Sequence, residues 1–189
     1  MAEECIDYNC TEIGEHELLG QLCGGGRLSG AAHIIAGLCG TSLSDPSDAT
    51  EINALLAAET AKLIMNLKVA LVTPSPILVD STTACGTQDV ATYDRTFTVE
   101  DFNVTQANCD FYSGMFGGRR FAWALLFECT TEGLTDQVTF INNTWKAFGG
   151  RNFENTNATF QKYSWTGSWR SKAEPCQFDA PTGITGLDA

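Results

Sequence analysis

Histidine is almost missing from this chain. Only His16 and His33 occur in 189 residues, so acid–base chemistry at neutral pH has few carriers. His16 lies between two glutamates in "EHE", the pattern of a solvated face. His33 lies inside an apolar run, which predicts a hydrogen-bonded core histidine. There is no nucleophile elbow, no His-Glu-x-x-His and no Cys-Gly-Ser-Cys-Trp, so no catalytic engine can be named and a non-enzymatic protein is expected.

Positive charge is scarce as well. Eleven Lys and Arg face 23 Asp and Glu, for a formal charge of −12. Gripping a nucleic-acid duplex depends on Lys and Arg replacing counterions along the phosphates, so this balance argues against tight DNA binding. The imbalance is steepest at the start. Residues 1–60 hold Glu3, Glu4, Asp7, Glu12, Glu15, Glu17, Asp45, Asp48, Glu51 and Glu59 against Arg27 alone. Long apolar runs are lacking, so no membrane span is expected. Met-Ala-Glu-Glu-Cys offers neither a basic nor an apolar leader region, so no secretion signal is expected.

Tight cysteine pairs are absent too. The eight cysteines stand at 5, 10, 23, 39, 85, 109, 129 and 176, and none forms the Cys-x-x-Cys pairs of a structural zinc site. With no export signal, free thiols are expected rather than a disulfide framework. In "QLCGGGRLSG", Gly26 is followed by Arg27-Leu28 where a phosphate loop needs Lys and Ser/Thr. Ser29 stands where a dinucleotide fingerprint started at Gly24 needs Gly or Ala. The triple glycine reads as a hinge into a strand, and neither metal nor cofactor is expected.

What remains is a β-rich chain. Residues 1–26 read as an acidic arm, 27–174 as one β-rich domain, and 175–189, with two prolines, as an extended tail that could reach a neighbour. "RLSGAAHIIAGLC" is short and apolar between glycines, which suits a buried strand. A helix is predicted near 48–60, where Asp48 caps, Glu51 follows three residues on, and Ile52, Leu55, Leu56 and Leu63 recur at helical spacing. In "TPSPIL" the two prolines predict the end of any regular element. "ATYDRTFTV" alternates Tyr93, Arg95, Phe97 and Val99 against Thr92, Asp94, Thr96 and Thr98, a strand with one wet face. A second helix is predicted over 103–116, with Asn103 as its cap and Val104, Ala107, Phe111, Tyr112 and Met115 as its apolar stripe. Short strands between Gly, Asn and Thr turns follow. The expected fold is α+β and mainly β, an antiparallel sandwich or barrel with one or two packed helices.

The order of "DPSDATEIN", "YDRTFTVEDFNV", "DFYSGMF" and "TFQKYSWTGSWRSKAEPCQFDAPTGI" resembles virion structural proteins of tailed bacteriophages, tail-tube subunits most closely. The resemblance spans roughly residues 28–185. It implies a β-sandwich or barrel carrying a helix, made in the bacterial host cytoplasm and built into virions. Copies would form rings, touch neighbouring virion proteins, and let DNA pass without tight binding. The cysteine content and the acidic start depart from that pattern and leave open an auxiliary capsid, connector-ring or head-decoration subunit. Candidate assembly contacts are Arg27, Asp94, Arg95, Arg119 and Arg120, the arginine pair in "GGRRF" being suited to bidentate bonds with the acidic start of an adjacent copy. A different class also stands: a monomeric β-domain whose Trp165 and Trp169, four residues apart in "SWTGSW", contact a small ligand or glycan.

Overall fold

Two stretches, "HIIA" at 33–36 and "ALLF" at 124–127, are apolar without alternation, which requires strands covered on both faces. Both lie at the centre of the molecule. The computed structural model describes residues 31–80, 88–116, 119–128, 137–152 and 161–187. Its elements run β1 (Ala31–Leu38), α1 (Ala49–Ala57), β2 (Ala61–Ile64), β3 (Leu67–Asp80), β4 (Gln88–Asp101), α2 (Gln106–Phe116), β5 (Arg120–Glu128), β6 (Gln137–Ile141), β7 (Trp145–Asn152), β8 (Lys162–Ser171) and β9 (Cys176–Asp179).

Every strand pairing is antiparallel, and the fold is α+β and mainly β as expected. Following the hydrogen-bonded neighbours β1, β3, β4, β8, β7 and β5 leads back to β1, because β5 pairs both β7 and β1. The result is a closed barrel. Its two corners are narrow: Ala31 meets Val69 at one, and Arg120 and Phe121 meet Lys146 and Trp145 at the other. At the β2–β3 junction Asn66 takes φ 60°, a left-handed backbone that Asn tolerates better than most residues. Its N–H donates to His33 Nδ1 at 3.3 Å, so His33 is the buried, hydrogen-bonded histidine that its apolar setting predicts.

Two cores result. The barrel interior holds Phe97, Trp145, Trp165 and Trp169, with Phe111, Tyr112 and Met115 of α2 packed into it. On the outer face of β1 and β5, Ile35, Trp123, Leu125 and Phe127 meet Ile52 of α1 and Ile184. Trp165 and Trp169 are 3% and 6% exposed. Neither is an open surface platform, although Trp169, with Trp145, also lines a cleft described below.

Several local expectations need correction. β3 runs straight through Pro74 and Pro76, because its outer edge carries no ladder there for a missing N–H to break, and the register shift between Val72 and Ser75 absorbs the kink. Thr105, not Asn103, caps α2, its Oγ1 accepting from the Asn108 N–H at 3.2 Å. Phe111, Tyr112 and Met115 of the predicted stripe are buried, but Ala107 is exposed and its neighbour Asn108 is buried instead. Glu51 reaches past its cap to the N–H groups of Ser44 and Asp45, while Asp48 caps α1 as predicted. The expected tail is part of the domain: β9 pairs with β6, and Ile184 is buried in the second core.

Candidate functional site

One end of the barrel carries two features side by side. The first is a ribbon. β3 and β4 pair over their whole lengths, yet β8 covers β4 only from Tyr93 to Asp101, and β1 touches β3 only at Val69. Beyond these contacts the hairpin stands as two strands alone, with both outer edges unpaired among the described residues. Apolar side chains are exposed on both faces of the hairpin, since neighbours in a strand point to opposite sides. Leu71, Val72, Leu78, Val79 and Val90 are 51%, 44%, 48%, 47% and 39% exposed.

The second is a cleft of about 1120 Å³ between β4, β5, β7 and β8 at that same end, lined by Asp94, Arg95, Arg120, Lys146, Ser168 and Arg170 among others. Strand alternation positions these groups. In β8 and β7 the dipeptides Trp169-Arg170 and Trp145-Lys146 bury an indole and turn the next residue, a cation, toward solvent. Arg95 is 4% exposed and fully engaged: its two terminal nitrogens bond the Glu174 carboxylate at 2.7 and 2.8 Å, and its Nε donates to the Ser171 carbonyl at 3.1 Å. Those bonds hold the Glu174 carboxyl below the usual carboxylate range. Arg170 Nε lies 2.7 Å from Asp94, a solvent-exposed pair of small energetic weight.

Arg120 and Lys146 are different. They stand directly opposite each other across the β5–β7 ladder, and neither makes an ion pair or side-chain hydrogen bond among the described residues. Like charges facing across a ladder repel, so this arrangement costs stability in the isolated chain.

Of the residues expected to make contacts, Asp94, Arg95 and Arg120 share the cleft. Arg119 does not: it is 7% exposed, its side chain taken into the protein while Arg120 next to it faces the cleft, and it leaves the set of surface contacts. Arg27 and the triple glycine lie outside the described residues. Lys146, Arg170 and Glu174 were missed, although a cation directly after a tryptophan in a strand is a legible signal of an outward charge. Among the described residues no group of three metal-ligating side chains gathers, and no helix is long and apolar enough to cross a membrane. Comparison with protein-family models, with curated proteins and with solved structures finds no match for this chain.

Proposed function

We propose that this chain is a non-enzymatic structural subunit that assembles with copies of itself, as a tail-tube-like component of a phage virion through which DNA passes. The observation that carries self-assembly is the β3–β4 ribbon. Unpaired strand edges template pairing with another chain, and native proteins normally blunt them with charge, bulges or a covering element. Here Leu78, Val79 and Val90 are exposed on the ribbon, and Leu71 and Val72 continue along the open edge of β3. An apolar patch of this kind on a chain otherwise dominated by acidic charge is the mark of an interaction site. The virion assignment rests on the sequence resemblance, and the −12 charge suits a conduit to which DNA must not adhere.

Electron microscopy of stained particles across a concentration series, with light scattering on the same samples, tests the proposal. Rings or tubes are expected from the native chain, and discrete small particles from Leu78→Lys/Val79→Lys at unchanged thermal stability. A native chain that stays monomeric at every concentration, with the variant indistinguishable from it, overturns the proposal.

A further inference from the structure

We infer that the basic cleft at the ribbon end is the docking site for the acidic segment 1–26 of a second copy of this chain. The inference rests on the self-assembly reading and names the contact that would join successive copies. Charge complementarity is the first support. Arg120 and Lys146 face each other with no carboxylate bonded to either among the described residues, while Arg170 in the same cleft is already paired with Asp94. An occupant bearing several carboxylates removes their mutual repulsion and gains charge-assisted hydrogen bonds. Segment 1–26 carries Glu3, Glu4, Asp7, Glu12, Glu15 and Glu17 and no Lys or Arg.

The self-assembly reading selects a second copy over the segment's own cleft, and the geometry is compatible with that choice. The chain enters β1 at Ala31, which pairs with Glu128 at the far end of β5. Arg120 is at the other end of β5, where Phe121 pairs with Leu38. Seven residue steps of β1 separate the two ends, about 23 Å at ~3.3 Å per residue. The segment is therefore tethered at one end of the barrel and the cleft opens at the other. A contact between opposite ends of identical subunits is heterologous, the kind that propagates into rings or stacks.

Two full-length variants test this. In the first, the six carboxylates of segment 1–26 become Gln or Asn, leaving the cleft intact. In the second, Arg120→Gln and Lys146→Gln leave the segment intact. Each alone is expected to lose the salt-sensitive association of the native chain, and mixing them is expected to restore one-to-one pairing, because one cleft and one segment then remain. Association of both variants at native strength overturns the inference, as does failure of the mixture to pair while the native chain assembles.

If the native chain does not assemble at all, the self-assembly reading fails by itself and a labelled peptide of residues 1–26 decides this one. The peptide is expected to bind the first variant and to bind that variant carrying Arg120→Gln/Lys146→Gln at least about tenfold more weakly, the loss of roughly 1.4 kcal/mol. Equal binding to both overturns the docking site. Peptide taken up by the first variant and refused by a monomeric native chain places the segment in its own cleft, which overturns the second-copy contact. Circular dichroism of each variant identifies one that has not folded, and Arg120→Lys, which keeps the charge, then replaces the neutral pair with retained binding expected. Loss of binding in a folded Arg120→Lys chain overturns the charge-based contact.

Discussion

Gly167 shows how tightly single residues are specified here. A Cβ placed on it would lie 2.2 Å from the Phe97 ring, and that ring is fully buried with Trp145, Trp165 and Trp169 around it. Gly167→Ala is expected to destabilise the fold by about 2–3 kcal/mol through overpacking, read as a lower urea midpoint. Gly150, with open space where its Cβ would stand, is the control, and Gly150→Ala is expected to change stability by less than ~0.5 kcal/mol.

Tyr112 carries a pH signature at the same scale. Its hydroxyl donates to Asp101 Oδ2 at 2.7 Å inside the barrel core. Burial pushes the phenol well above its ordinary value of 10.0, and the Asp101 charge adds to the effect. The folded protein keeps a proton that the unfolded chain releases above that value, so this contribution is full below pH 10.0 and is lost as pH rises beyond it. Tyr112→Phe is expected to cost about 1–2 kcal/mol at neutral pH from the lost hydrogen bond. Urea titrations from about pH 9 to about pH 11 should show a shallower alkaline decline in the variant.

Among the elements, β9 and the turn after it do more than trail. β9 covers the edge of β6 through four register pairs, from Gln137 with Asp179 to Phe140 with Cys176. Asn53 of α1 then clamps the following turn, donating to the Gly183 carbonyl and accepting from the Thr185 N–H, each at 2.8 Å. Between those two bonds Ile184 is 1% exposed. Ile184→Ala is expected to cost about 2–4 kcal/mol in thermal or urea unfolding.

Element by element, the signals that were legible are those of local chemistry. Asp48 was readable as a cap because a carboxylate before a helical repeat satisfies an otherwise open N–H, and β4 because its polarity alternates. The prolines of β3 misled because a proline's effect depends on whether its edge is paired, which sequence does not state. β9 was unreadable for a related reason: "CQFD" has no pattern of its own and becomes a strand through β6.

For the whole molecule, formal charge sets the behaviour toward large partners. With −12 spread over 189 residues, duplex DNA is expected to show no mobility shift at physiological salt, and a tight salt-dependent complex would contradict the conduit reading. Barrel closure sets the behaviour toward copies. It joins β1, β3, β4, β8, β7 and β5 edge to edge, and among the described residues the ribbon edges of β3 and β4 are open, as are the outer edges of the shorter strands β2 and β9.

The sequence by itself determined the β-rich class, both helices, the buried histidine and the acid-rich start, because each follows from the order of neighbouring residues and their intrinsic preferences. Only the tertiary structure decided that Trp165 and Trp169 are core, that Arg119 is buried, and that Asp94, Arg95, Arg120, Lys146 and Arg170 share one cleft. Those residues lie on four strands from across the chain. They meet through antiparallel register and barrel closure, long-range pairings whose partners are chosen by packing and not by any local pattern.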